Sequence, residues 1–219
     1  MNRLGLIFTT FAGLVAASAA KACKIALLLM IDVSSSIDPG EYRFQIDGMA
    51  DALRDPVIAE ILVRDQVALS VVQWSGIGEA EVSLEWQRML TPAAVVSFAN
   101  RARAIPRRWQ RSRTAVGDAI AFGAEQFGPV SDCTRRVMDV SGDGASNVGF
   151  DTATMRREIQ AMGIEINGLA IDRIGRSVTE FYRRFMITQG GFVMTATGYS
   201  DYPRAISAKL FRELVKPAS

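Results

Sequence analysis

The chain has 219 residues, 49% of them hydrophobic, which is enough for one globular domain with a buried core. Its 25 basic and 23 acidic side chains give a net charge of +2, which indicates no particular class of partner. There is no histidine, which excludes Ser-His-Asp hydrolases, papain-like Cys-His enzymes and HExxH zinc sites. Cys23 and Cys133 are too few and too far apart in sequence for a zinc cluster.

The first residues have the pattern of a secretory signal peptide. Arg3 precedes an apolar stretch from Leu4 to Ala20, which ends in small residues. This stretch is short for a membrane span and has no basic stop-transfer cluster after it, which argues against a membrane anchor. We therefore predict a signal peptide over residues 1–20 and a single domain over residues 21–219. The cleavage position stays open between three sites, after Ala19, Ala20 or Ala22.

Export has consequences for charge and redox state. Without residues 1–20 the chain keeps 24 basic and 23 acidic side chains, and no later stretch is apolar enough to cross a bilayer. A lipoprotein acylated at Cys23 is a weaker alternative, because Lys21 is unusual in a lipobox. We expect a periplasmic or secreted protein in an oxidising compartment, where disulfides are stable.

Extended apolar runs then alternate with amphipathic helical runs. Pro39 after Asp38 is a typical helix start, and Pro56 is expected to stop that helix. In chain order the predicted elements are strand 24–32, helix 39–55, strand 65–74, edge strand 80–90, helix 91–105, helix 115–128, strand 135–144, helix 151–163, strand 164–172, helix 177–187, strand 191–197 and helix 199–216. This order predicts an α/β domain with a mostly parallel sheet between two layers of helices.

Polar residues follow two of the predicted strands. The first strand ends in Asp32, with Ser34 and Ser36 close behind, and a strand in the middle of the chain runs into Asp143. Thr114 stands at the start of a predicted helix between them. Since the carboxyl ends of parallel strands share one edge of the sheet, we expect these side chains to lie close together.

These five side chains offer only hard oxygen ligands. Asp32, Ser34 and Ser36 alternate along an extended turn, so they project to the same side. Carboxylates and hydroxyls without thiolate or imidazole favour Mg²⁺, Mn²⁺ or Ca²⁺ over zinc or copper. The alternative is a polar turn that caps the first helix, and Asp143 is equally compatible with an ordinary turn before Gly144.

Three sequence segments carry a resemblance to a known family. DVSSS (32–36), TAVGDAI (114–120) and SGDG (141–144) resemble the metal-ion-dependent adhesion site (MIDAS) of von Willebrand factor A (VWA) domains. This resemblance implies a Rossmann-like, three-layer fold with a six-stranded sheet in the order 3-2-1-4-5-6 and one antiparallel edge strand. It also implies a Mg²⁺ on the upper edge of the sheet.

The resemblance further implies a role for each of the five residues. Ser34, Ser36 and Thr114 would coordinate the metal directly, and Asp32 and Asp143 would act through water. The likeness covers roughly residues 24–215. The segments SGDGASN (141–147) and GYSDYPRAISAKLFREL (198–214) further resemble an exported bacterial branch of the family without assigned function, the domain of unknown function 1194. The chain departs from the usual pattern in two places, with Ser35 in place of a common Gly and Gly142 in place of a common Thr.

The implied strand order also suggests a disulfide. Cys23 precedes the first strand and Cys133 precedes the strand that runs into Asp143. The resemblance makes these two strands neighbours, so both cysteines would lie at the sheet edge opposite the metal. We therefore predict a structural Cys23–Cys133 disulfide, which the oxidising compartment permits.

An arginine-rich segment, residues 101–113, directly precedes Thr114 and contains six arginines. It is either a solvated loop or an anionic-partner surface beside the cation, with Trp109 as aromatic anchor. Nucleic acid is disfavoured, because the mature domain is almost neutral and carries an export signal. The residues of this possible partner surface are Arg107, Arg108, Trp109 and Arg111.

The sequence leads to one main functional hypothesis. As the resemblance implies, the domain is a non-enzymatic binding module whose cation captures an Asp or Glu carboxylate of a protein partner. A metal-assisted hydrolase of the phosphoesterase type is an alternative, although the chain lacks a histidine base. A structural envelope protein that binds the ion only for stability is a third possibility. The partner, the resting metal and the oligomeric state stay open.

Overall fold

A computed structural model describes residues 23–173 and 175–216, so the predicted signal peptide lies outside the described residues. The strands are β1 (Ile25–Asp32), β2 (Ala68–Trp74), β3 (Ala80–Arg88), β4 (Arg135–Gly142), β5 (Ile164–Ile171) and β6 (Val193–Ala196). The α-helices are α1 (Pro39–Arg54), α2 (Pro56–Arg64), α3 (Pro92–Arg103), α4 (Val116–Glu125), α5 (Thr152–Ala161), α6 (Ser177–Phe181) and α7 (Tyr202–Val215). In this part of the chain no helix is long and apolar enough to cross a membrane.

The strands form one six-stranded sheet in the order β3-β2-β1-β4-β5-β6. Only the edge strand β3 runs antiparallel to its neighbour, and the other four pairings are parallel. This topology confirms the predicted fold class and strand order. It places β1 and β4 side by side at the centre, so their carboxyl ends lie next to each other.

The central strand β1 is buried along its whole length because helices cover both faces of the sheet. Its side chains alternate between two hydrophobic cores. Leu27 and Leu29 pack in the core that is covered by α1, α3 and α7. Leu28 and Met30 pack in the opposite core, which includes side chains of α4 and α5.

The helix α2 was not predicted from the sequence. Pro56 does end α1, but it also occupies the first turn of a new helix. Asp55 caps that helix, since its carboxylate accepts hydrogen bonds from the backbone N–H groups of Val57 (2.9 Å) and Ile58 (3.2 Å). An Asp-Pro pair can therefore begin a helix as readily as it ends one. As a result β2 begins at Ala68, three residues after the predicted start at 65.

The predicted helix over 177–187 is regular for one turn only. The α-helix α6 ends at Phe181, and residues Tyr182–Met186 continue as one π-helical turn. This turn places the Tyr182 side chain in the core beneath the carboxyl ends of β4 and β5.

The predicted disulfide is present between Cys23 and Cys133, with a Cα–Cα distance of 4.5 Å. Cys23 lies just before β1 and Cys133 just before β4, and the Thr134 N–H donates to the Cys23 carbonyl (3.0 Å). The disulfide therefore joins the two central strands at their amino ends. Asp32 and Gly142 end the same strands at the opposite edge of the sheet.

Candidate metal site

The turn after β1 brings Asp32, Ser34 and Ser36 to one side. The Asp32 carboxylate is buried, and its Oδ1 accepts the backbone N–H of Ser34 at 2.7 Å. The hydroxyls of Ser34 and Ser36 lie 3.3 Å apart. Ser36 Oγ donates to Oδ1 of Asp143 at 2.6 Å, which joins this turn to the loop after β4. Four of the five predicted ligand residues are thus connected by direct hydrogen bonds.

Thr114, the fifth predicted ligand residue, is buried, and hydrogen bonds hold its backbone in place. Its N–H donates to Oδ1 of Asn147 (3.2 Å), and the Asn147 N–H donates to the Thr114 carbonyl (2.9 Å). Two residues earlier, the Ser112 carbonyl accepts the Ser35 N–H (3.0 Å). A Cβ atom built on Gly144 would stand 3.4 Å from the Thr114 hydroxyl oxygen. Thr114 therefore lies against the loop that carries Asp143, and the segment just before it contacts the serine turn through Ser112.

Asp118, one helical turn further along α4, fixes the same loop. Its Oδ2 accepts the Phe150 N–H at 2.7 Å. Gly117 lets α4 approach closely, since a Cβ atom there would stand 2.2 Å from the Phe150 carbonyl oxygen. Asp118 therefore orients the loop after β4.

Gly142 is required where β4 ends. A Cβ atom at this position would stand 2.6 Å from the Tyr182 hydroxyl oxygen and 2.8 Å from Oδ2 of Asp32. The Tyr182 ring fits beneath because Gly168 of β5 has no side chain, and a Cβ there would meet the ring at 2.8 Å. The Tyr182 hydroxyl therefore lies in the space that a side chain at position 142 would need.

The environment of Asp32 is short of positive charge. Oδ2 of Asp32 is buried and has no hydrogen-bond partner among the described residues. Burial raises the pKa of Asp32 to about 7, and the negative charge of Asp143 adds to this shift. A cation beside the two carboxylates would stabilise the ionised form of both. This orphaned carboxylate oxygen is the observation that best fits a metal site.

The donor set also fits a hard divalent cation. Within the described residues no cluster of three or more His, Cys, Asp and Glu side chains is found. The site has two carboxylates, and its remaining candidate donors are hydroxyls. Such a set matches Mg²⁺, Mn²⁺ or Ca²⁺, which prefer oxygen ligands and retain bound water.

The arginine-rich segment is mostly engaged within the domain. Arg107 donates from Nη2 to the carbonyls of Val33 (3.2 Å) and Ser34 (3.0 Å), so it holds the serine turn in place. Arg108 pairs with Glu81 at 2.5 Å, and partly buried Trp109 packs against the core. Arg111 is exposed. This structural role of Arg107 was not predicted from the sequence.

Three residues near the site were not singled out from the sequence. Tyr182 comes close to Asp32 through the core, and Arg173 reaches Asp143 and Glu41 from the loop after β5. Glu41 lies in the first turn of α1. No local motif marks Arg173 or Tyr182, because their positions depend on the packing of α6 and β5.

The strand order and the helices on both faces of the sheet define the class of fold as that of VWA domains. Within this class the chain belongs to the family described as protein of unknown function (DUF1194), whose model matches residues 22–218. A search of curated proteins found no match.

Solved structures with the same fold have low sequence identity to this chain. Proximal thread matrix protein 1 from the mussel byssus, with a zinc-occupied MIDAS motif, aligns with a TM-score of 0.67 and 18% identity over 87% of this chain and 48% of that one. A von Willebrand factor type A structure from Catenulispora acidiphila has a TM-score of 0.62 and 15% identity, and the alignment covers 90% of this chain and 44% of that one. The pilus adhesin SpaC from Lactobacillus rhamnosus GG has a TM-score of 0.60 and 11% identity, and the alignment covers 87% of this chain and 30% of that one. This chain thus spans about half the length of the byssus protein.

Proposed function

We propose that this protein is an exported VWA-type binding module that holds a divalent cation, Mg²⁺ or alternatively Mn²⁺ or Ca²⁺, and uses it to bind an Asp or Glu carboxylate of a protein partner. The buried Oδ2 of Asp32, which has no partner among the described residues, carries this proposal. Zinc in the MIDAS motif of the byssus protein and the adhesin character of SpaC support it by likeness of fold.

Each predicted ligand has a distinct role in the proposal. Ser34, Ser36 and Thr114 offer neutral hydroxyl oxygens to the metal, while Asp32 and Asp143 balance its charge through bound water. When bound, the metal supplies a positive centre that accepts one oxygen of the partner's carboxylate. Because few anionic ligands bind it directly, it keeps its attraction for that carboxylate.

Metal titration tests the first half of the proposal. We expect calorimetry to detect Mg²⁺ or Mn²⁺ binding by the wild-type protein, and Asp32→Ala and Thr114→Ala to abolish it with unchanged circular dichroism. Thr114→Ser is the matched control, because it keeps the hydroxyl and is expected to keep metal binding. Equal binding by the wild type and both alanine variants would reject the site.

Affinity capture from envelope extract tests the second half. A partner that depends on the metal is expected to be retained in Mg²⁺ and lost in EDTA or with Asp32→Ala. Capture that is unchanged by both treatments would contradict a metal-mediated contact. Arg108, Trp109 and Arg111 remain a proposed partner surface, and alanine variants of these residues would weaken capture without changing metal affinity.

We also propose that the protein is not an enzyme and that it acts in the periplasm or is secreted. The absence of histidine from the sequence supports the first statement, and the apolar leader supports the second. Metal-dependent turnover of p-nitrophenyl phosphate that is lost in Asp143→Ala would favour the hydrolase alternative. Cell fractionation of the full-length chain tests the location.

A further inference from the structure

Arg173 brings a second cationic group to the candidate metal site. It follows β5, and its Nη2 lies 2.7 Å from Oε1 of Glu41, 3.0 Å from the Ser36 carbonyl oxygen and 3.5 Å from Oδ2 of Asp143. The same Asp143 accepts the Ser36 hydroxyl through its other oxygen. The guanidinium therefore contacts two of the residues that are expected to surround the metal.

The position of Arg173 is organised by groups around it. Glu41 belongs to a capping box at the start of α1, in which its Oε2 accepts the Asp38 N–H at 2.8 Å, so its Oε1 is held toward the arginine. The guanidinium carbon lies 5.6 Å from the centre of the Tyr199 ring. Asp172, next in the chain, accepts the N–H groups of the first turn of α6 and fixes the loop. These contacts orient Arg173 before any ligand is bound.

Part of the guanidinium faces away from the protein. The Arg173 side chain is 51% exposed, and within the described residues all its polar contacts leave from Nη2. Nε and Nη1 keep donor hydrogens without a protein acceptor among those residues. Each of these two nitrogens can donate a hydrogen bond to a carboxylate oxygen of a ligand.

The charge of Arg173 has two opposite effects on this site. It pairs with Asp143, so it competes with a metal ion for the same carboxylate and lowers the affinity for that ion. It also adds positive charge beside the metal, so it attracts an anion. The same residue therefore disfavours the metal alone and favours the metal together with a carboxylate.

We propose that Arg173 determines ligand specificity at this site: it binds the partner's carboxylate together with the metal, and its charge keeps metal affinity low until that carboxylate is present. This inference rests on the proposed function, because it needs a metal to bind among Asp32, Ser34, Ser36, Thr114 and Asp143. It adds a group outside those five residues and predicts positive coupling between metal and carboxylate.

Mn²⁺ titration with and without acetate tests the inference. Arg173→Gln is expected to raise the affinity for Mn²⁺ alone roughly three- to tenfold, because a nearby like charge is removed. Acetate at constant ionic strength is expected to strengthen Mn²⁺ binding by the wild type, and Arg173→Gln to lose most of this effect. Arg183→Gln is the matched control, since Arg183 is 52% exposed and pairs with Glu180, and we expect it to change neither quantity.

Arg173→Lys separates charge from geometry and serves also if Arg173→Gln does not fold. It keeps the charge but loses the Nε and Nη1 donors, so Mn²⁺ affinity should stay within about twofold of wild type while the acetate effect falls. Reduced Mn²⁺ affinity in Arg173→Gln, or an unchanged acetate effect in both variants, would overturn the inference and leave the metal site intact. Absence of Mn²⁺ binding by the wild type would instead reject the proposed function, and this inference with it.

Discussion

Ser36 and Asp143 lie 107 positions apart in the sequence, and the Ser36 hydroxyl donates to the Asp143 carboxylate at 2.6 Å. This bond connects the carboxyl ends of β1 and β4, the two central strands of the sheet. It also orders two oxygen donors toward the same space as the buried Asp32. The candidate site is therefore assembled by the parallel pairing of these strands, and not by a single continuous segment.

Ser36→Ala is expected to weaken Mg²⁺ binding at least about tenfold, because it removes a proposed ligand and the group that orients Asp143. Calorimetric titration measures the change. Ser35→Ala is the matched control, since Ser35 is an exposed neighbour with no side-chain hydrogen bond among the described residues. Equal losses in both variants would mean that the turn as a whole, and not the Ser36 hydroxyl, supports binding.

Gly142→Ala is expected to destabilise the protein by about 1–3 kcal/mol, because the added methyl group would overlap the Tyr182 hydroxyl and Asp32. Metal binding should weaken too, since Asp32 must move. Urea unfolding and Mg²⁺ titration measure the two effects.

Gly128→Ala controls for the general cost of replacing a glycine, because a Cβ at Gly128 would contact nothing within 4 Å. If the overlap with Tyr182 is the cause, Tyr182→Phe should recover part of the stability of Gly142→Ala. A loss that is unchanged in the double variant would assign the effect to Asp32 alone.

The sequence was sufficient to predict the converging strand ends. Asp32 ends the strongly apolar strand β1, Asp143 directly follows β4, and the parallel sheet brings such ends to one edge. Arg173 and Tyr182 could not be predicted in the same way. Their side chains reach the site through the packing of the β5–α6 region, which leaves no spacing pattern in the sequence.

Local signals were ambiguous where one residue serves two elements. Asp55-Pro56 ends α1 and begins α2, and only the first of these roles was predicted. The arginine-rich segment was ambiguous as well, because a cluster of arginines has the same composition whether it binds backbone carbonyls, as Arg107 does, or faces solvent.

Removal of the disulfide should reduce stability but spare the metal site. The Cys23–Cys133 bond closes a loop of 110 residues, and a loop of this length corresponds to about 4–5 kcal/mol in the chain-entropy model. We expect Cys23→Ser/Cys133→Ser to lower the free energy of unfolding by roughly that amount in urea titrations. Mg²⁺ affinity below the unfolding transition should match wild type, because the bond lies at the opposite edge of the sheet. A parallel loss of metal affinity would contradict this separation.

A buried ion cluster lies beneath α7. Lys209 Nζ is 2.5 Å from Oδ1 of Asp139 on β4 and 2.6 Å from Oε1 of Glu213, and all three side chains are at most 2% exposed. Lys209→Met is expected to destabilise the fold by about 3 kcal/mol or more, because it leaves the Asp139 carboxylate in the core without its cation. The exposed Lys24, which pairs with Asp65, provides the control, and Lys24→Met should cost about 1 kcal/mol or less.

The same cluster predicts how stability depends on pH. Burial, together with the charge of Asp139, raises the pKa of Glu213 from its usual 4.5 to about 8. Between these values the folded protein retains a proton that the unfolded chain releases, so this residue stabilises the fold below pH 4.5 and the contribution is lost as the pH rises toward 8.

Glu213→Gln keeps an acceptor for Lys209 and removes the charge. We expect it to raise the free energy of unfolding at pH 9 by about 1–3 kcal/mol, with little change at pH 4. Asp32, whose pKa also lies in this window, is the same in both proteins, so the difference between their urea titrations isolates Glu213. Parallel stability curves for the two proteins across this pH range would show that Glu213 is ionised in the fold without cost.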